Sequence, residues 1–153
     1  MNKRVTIIED SKETQRQFLD SLPESEIVEM QAIMVEPFFN DEIEIAVKEF
    51  GPRLIILDLR LDRSEESGFR ILRKLRQSSL KDIPVIVCSK YITSSANDEN
   101  KKKALRYGAV AALPKFPFPK IQTFFDVVDK NQRERGTSQS ETSEEKPTKE
   151  EKS

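Results

Sequence analysis

Apolar residues along this chain gather in short runs, separated by stretches where they recur every third or fourth position. The most continuous run is Leu54-Ile55-Ile56-Leu57, with Gly51-Pro52 as punctuation just upstream. Apolar residues without alternation predict a strand covered on both faces, in the middle of a parallel sheet. Val5-Thr6-Ile7-Ile8 predicts a first strand, Pro84-Val85-Ile86-Val87-Cys88 a fourth and Ala109 to Leu113 a fifth. From Val28 to Met34 apolar and polar residues mix, which suits an edge strand. Helical spacing fills the intervals. Phe18, Leu19 and Leu22 mark a helix over Ser11 to Leu22 that Pro23 helps to end. Ile43, Ala46, Val47 and Phe50 form an amphipathic stripe behind Asn40 as N-cap. Gly68 precedes a helix from about Phe69 to Gln77, with Leu72 and Leu75 facing inward. A weakly amphipathic helix from about Asn97 to Tyr107 contains Ala104 and Leu105 and ends at Gly108. Pro119 opens a last helix carrying Ile121, Phe124, Phe125 and Val128 on one stripe.

A strand followed by a helix thus occurs five times in succession. Right-handed crossovers and a half-polar second strand imply an α/β fold, a doubly wound five-stranded parallel sheet of order 2-1-3-4-5. From Thr137 to Ser153 the chain has no apolar residue and cannot bury anything. The expectation is one domain over 1–135 and a disordered charged tail over 136–153.

Composition narrows the chemistry. The chain has 153 residues, 26 Lys plus Arg against 27 Asp plus Glu, and no histidine. This charge balance gives no reason to expect a nucleic-acid or membrane partner. Without histidine there is no Ser-His or Cys-His catalysis, no His-ligated metal and no phosphohistidine carrier. The glycines, Gly51, Gly68, Gly108 and Gly136, do not assemble a P-loop or a G-x-G-x-x-G cradle. Cys88 is the only cysteine and sits inside an apolar run, which suits a core residue in a reducing cytoplasm. Met1 to Asp10 is too polar for a signal peptide, and no stretch is apolar enough to span a bilayer.

The strand ends carry the candidate chemistry. In a 2-1-3-4-5 sheet, strands one and three flank the topological switch point, where such folds place their sites. Glu9 and Asp10 end the first strand and Asp58 the third; Ser89 and Lys115 end the fourth and fifth. Each has an ordinary role alone: a helix cap, a loop carboxylate, a strand-end hydroxyl, a surface cation. Together they are harder to explain structurally. Two carboxylates about 4 Å apart repel by about 4 kcal/mol at an effective dielectric near 20. A bound cation relieves that, and magnesium, which favours carboxylates and phosphate oxygens, is the natural occupant. Asp58 would then attack phosphorus to give an aspartyl phosphate, with Lys115 and Ser89 sharing the charge of the transferred group.

The stretches I-I-E-D-S, I-I-L-D-L-R-L, V-I-V-C-S-K and G-A-V-A-A-L-P-K resemble the receiver domain of two-component response regulators, over about Lys3 to Lys130. The resemblance implies a flavodoxin-like receiver fold, standing alone and not an enzyme in its own right. It implies Asp58 as phosphoacceptor and Glu9, Asp10, Asp58 and the Arg60 backbone carbonyl as ligands of Mg2+. It implies Ser89 as the switch hydroxyl and Lys115 as the phosphoryl-contacting lysine. The donor would be a histidine kinase or phosphotransfer protein and the readout a protein contact, in a cytoplasmic monomer or weak dimer. The family's usual output face would include a basic surface with Lys101, Lys102, Lys103 and Arg106. Two departures stand out. Lys90 occupies a place usually held by a small residue, and Ala112 stands near the family's switch aromatic. These keep open a phosphorylation-independent receiver-like protein-binding module. A haloacid-dehalogenase-type phosphatase would need an acid where Arg60 stands, and a flavin phosphate would be repelled by three carboxylates.

Overall fold

The computed structural model describes residues 3–9, 16, 20, 29–34, 40–58, 65–115 and 119–135, without the side chains of Glu9, Met34 and residues 65–68. Five strands, β1 (Arg4–Glu9), β2 (Glu29–Met34), β3 (Leu54–Leu57), β4 (Val85–Ser89) and β5 (Ala111–Pro114), form one sheet. Their order is β2-β1-β3-β4-β5 and every neighbouring pair is parallel, as the alternating pattern implied. The register sets Ile8 beside Leu57, Leu57 beside Val87 and Ser89 beside Pro114. The strands therefore finish together at one mouth of the sheet.

Strand residues alternate between two faces, and each face has its own core. On one side Ile8, Ile55, Leu57, Val85, Val87 and Ala112 meet Val47, Phe69, Leu72, Leu75 and Ala104. These come from helices α1 (Asp41–Phe50), α2 (Glu65–Gln77) and α3 (Glu99–Arg106). On the other side Val5, Ile7, Leu54, Ile56, Ile86 and Cys88 meet Ile121, Phe124, Phe125 and Val128. Those four lie on α4, a helix over residues 121–135. Buried Thr6 donates to Gln31 Oε1 at 2.8 Å, and Gln31 Nε2 donates to the Ala46 carbonyl, so this polar pair is satisfied between sheet and helix.

Helix ends follow local chemistry. Asn40 Oδ1 accepts the Ile43 amide at 3.0 Å, the expected N-cap of α1. Gly51 ends α1 at φ 65°, a left-handed cap that a side chain would strain. Gly108, at φ 105°, lies against the Arg76 side chain, which a Cβ would approach to 2.9 Å. Helix α2 starts at Glu65, earlier than Gly68 suggested. Gly68 is thus the fourth residue of the helix and not its boundary. Helix α3 is shorter than its pattern, with Asp98 as N-cap and Leu105 44% exposed. Strand β5 runs later than expected, reaching Pro114, which leaves Lys115 the first residue past it. The first helix, over Ser11 to Leu22, and the tail over 136–153 lie outside the described residues, apart from helical positions at Arg16 and Asp20.

Candidate functional site at the sheet mouth

Asp58 is the first residue beyond β3, and its amide donates to the Ile8 carbonyl at 3.0 Å. Strand pairing thus continues one step past Leu57 and fixes the Asp58 backbone beside the end of β1, where Glu9 stands. Lys115 is held in the same way from the opposite side, its amide donating to the Ser89 carbonyl at 3.2 Å. From these two anchors the side chains meet: Lys115 Nζ lies 3.1 Å from Asp58 Oδ2, with the side chains only 11% and 7% exposed. Strands β3 and β5 are not neighbours, so this ion pair reaches across the end of β4.

Ser89 terminates β4 and is fully buried. Its Oγ accepts the Tyr91 amide at 3.1 Å, and its carbonyl accepts the Ile92 amide as well as that of Lys115. Lys90 is exposed, and its ammonium lies 5.2 Å above the Tyr91 ring. Ala112 is buried among Phe69, Ala104 and Ile92, so the lack of a ring on β5 is matched by a core packed around a methyl group. Cys88, one residue before Ser89, belongs to the opposite core. Burial pushes its thiol up to about 12, with the Asp58 charge acting in the same direction and Lys115 against it. It stays protonated and is no nucleophile.

Asp58, Ser89 and Lys115 are therefore brought to one mouth. Glu9 is placed there by its main chain, whereas its side chain, Asp10 and Arg60 lie outside the described residues. Among the described residues no three acidic or thiol side chains converge. What is described fits magnesium: the buried Asp58 carboxylate is a hard oxygen donor, and main-chain register brings the acidic end of β1 alongside it. Sequence reasoning passed over Tyr91 and Asn100, whose side-chain amide donates to the Tyr91 carbonyl at 3.1 Å. No spacing rule marks them, because the acceptor is a main-chain carbonyl in the loop that leads into α3.

Residues 5–124 match the family described as the response regulator receiver domain. The chain belongs to that family. A curated relative that it matches is a protein-glutamate methylesterase/protein-glutamine glutaminase from Trichodesmium erythraeum (strain IMS101), 31% identical over 141 residues and 79% of this chain. The receiver chain spans 37% of that relative's length. Solved structures share the fold. A LuxR-family two-component response regulator from Aurantimonas sp. SI85-9A1 aligns with a TM-score of 0.63 at 17% identity, over 84% of this chain and 86% of its own. A signal receiver domain from Clostridium thermocellum gives 0.57 at 22%, over 86% and 98%. The response regulator domain of Thermotoga maritima CheB gives 0.53 at 21%, over 88% and 93%. No helix among the described residues is long and apolar enough to cross a membrane.

Proposed function

We propose that this receiver takes a phosphoryl group onto Asp58 from a histidine kinase or phosphotransfer protein and thereby switches a contact with another protein. The observation that carries the reading is the Asp58–Lys115 pair, two charges almost removed from water at the mouth of the sheet. Such a pair contributes little to stability relative to an apolar substitute, so a chemical role accounts for it better than a structural one. A carboxylate oxygen of Asp58 forms the bond to phosphorus as the donor's phosphorus–nitrogen bond breaks. The electron pair leaves with the donor imidazole, which takes a proton from water. Lys115 is already in contact with the accepting carboxylate and offers its charge to the phosphoryl oxygens. Ser89, a strand-end away, offers its hydroxyl.

Glu9, Asp10, Asp58 and the Arg60 carbonyl are the residues that would hold magnesium, which when bound supplies further positive charge at the phosphoryl group. We assign the chain no turnover of its own and no part of the esterase activity named for its longer relative. The absence of histidine from these 153 residues accords with that assignment, and the cytoplasm, where kinase domains act, is its expected place.

A small phosphodonor such as acetyl phosphate, with magnesium, is expected to label the wild-type chain and not Asp58→Asn, read by intact mass. Equal labelling of the two moves the acceptor away from Asp58. No labelling of either favours a phosphorylation-independent binding module, for which the ring-free core at Ala112 is the specific support.

A further inference from the structure

Among the described residues two large apolar side chains are exposed, Ile45 of α1 at 56% and Leu105 of α3 at 44%. Each has its own charged surround. On a helix, the neighbours of a residue are those three and four positions away. For Ile45 these are Asp41, Glu42, Lys48 and Glu49, all exposed. For Leu105 they include half-buried Lys101 and exposed Lys102, and exposed Arg106 follows it. Over its whole length α1 has four carboxylates and one lysine, a net charge of −3. Helix α3 has one carboxylate, three lysines and one arginine, a net charge of +3. The chain as a whole is nearly balanced, at −1.

These charges do not meet within one copy. Both helices cover the same face of the sheet, α1 beside edge strand β2 and α3 beside edge strand β5. Helix α2 stands between them. On the α1 side, Glu44 accepts the amide and hydroxyl of Ser79, just past α2, at 2.8 and 2.7 Å. On the α3 side, Lys103 lies 4.7 Å above the Phe69 ring and Arg73 of α2 lies 5.4 Å above the Tyr107 ring. Asp41, Glu42, Glu49, Lys101 and Arg106 form no ion pair among the described residues, and Lys102 pairs with its helix neighbour Glu99 at 3.7 Å.

We propose that helix α1 of one copy of this chain docks on helix α3 of another, with Ile45 against Leu105 inside a ring of opposite charges. An apolar centre with a polar rim is the ordinary anatomy of an interface. The occupant is a second copy because the chain itself carries both halves, matched in charge and each centred on an exposed aliphatic side chain. A reciprocal pair, with both contacts made at once, would set α2 against α2 and bring the exposed Arg70, Arg73 and Lys74 of the two copies together. The contact therefore runs head to tail, and assembly does not stop at two. It makes no use of Asp58.

Sedimentation equilibrium of the full chain tests this. A contact this small is expected to have a Kd of about 1 mM. At about that concentration and low salt, the weight-average mass should exceed twice the 17.7 kDa of one copy and fall toward one copy as salt screens the rim. Ile45→Lys sets a lysine among carboxylates and Leu105→Glu a carboxylate among lysines. Both gain oppositely charged helix neighbours, so both helices are retained. Each variant alone should associate at least about tenfold more weakly than the wild type. Mixed in equal amounts they should pair one to one and grow no further, since the first keeps α3 intact and the second keeps α1. A wild type that stays monomeric, or stops at two copies, overturns the proposal. So does association that survives either substitution, as a symmetric contact through one helix would. A mixture no more associated than its separate components overturns it as well.

Discussion

The two ends of the sheet carry the same kind of ion pair in different surroundings. At the mouth, Lys115 and Asp58 are 11% and 7% exposed. At the opposite end, Arg53, just before β3, pairs with Asp129 of α4; these side chains are 15% and 39% exposed. Arg53 also lies over the Phe125 ring at 5.2 Å, and nearby Arg4 pairs with Glu29 and donates to the Phe50 carbonyl. The base pairs tie strand starts to the elements around them and keep one partner in water. The mouth pair removes both charges from water, where desolvation offsets most of the attraction. Ion pairs at the base are thus fastenings, whereas the mouth pair gains little net stability from its attraction.

The sharpest way to break that comparison is to remove one cation from each end. Lys115→Met takes the ammonium away from a nearly buried carboxylate. It is expected to cost about 3 kcal/mol in urea unfolding, the lower end for a broken buried pair. It should also lower labelling by a small phosphodonor at least tenfold. Asp58→Asn/Lys115→Met removes both charges and should recover most of the lost stability while remaining unlabelled. A double variant as unstable as the single one would make the pair a structural fastening after all.

At the base, Arg53→Met loses a partly exposed ion pair and a cation–π contact, together about 1–1.5 kcal/mol. Its labelling should match the wild type. A salt titration refines the contrast, since the partly exposed pair is screened and the mouth pair much less so. If Arg53→Met labels poorly, the two ends are coupled and the division drawn here fails.

Much of this arrangement was legible in the sequence because it depends on short-range rules. Apolar runs mark strands buried on both faces, and Asp58, Ser89 and Lys115 fall at strand ends whatever the details of packing. What stayed hidden depends on tertiary context. Gly68 looks like a helix boundary, but α2 runs through it from Glu65. Leu105 fits a helical stripe, yet α3 turns it toward solvent and buries Ala104 instead. Ser89 could be placed as a site hydroxyl, but not its bond to Tyr91 or the onward bond to Asn100. Those involve main-chain atoms, which every residue has and no motif specifies.

A third charge separates position from burial. Asp98 belongs to the loop on the mouth side but is partly exposed, and its carboxylate is fully used by local bonds. Oδ1 accepts the Lys101 amide at 2.9 Å, and Oδ2 accepts the Thr93 amide and hydroxyl at 2.7 and 2.8 Å. Burial alone raises its pKa, but the hydrogen bonds from Lys101, Thr93 and Asn100 outweigh it and hold the carboxyl below the usual range. A lowered folded-state pKa means stability that is present above the unfolded value, about 3.9, and is lost as pH falls through the folded one. Asp98→Asn keeps a capping oxygen but has no proton to gain. The wild type should therefore lose more melting temperature than Asp98→Asn between pH 6 and pH 2.5, a difference that isolates this group from the other carboxylates. The effect should be the smallest of the three, since solvent screens an exposed charge. If the two curves fall in parallel, Asp98 acts only as a hydrogen-bonding cap, and charge at the mouth matters only where it is buried.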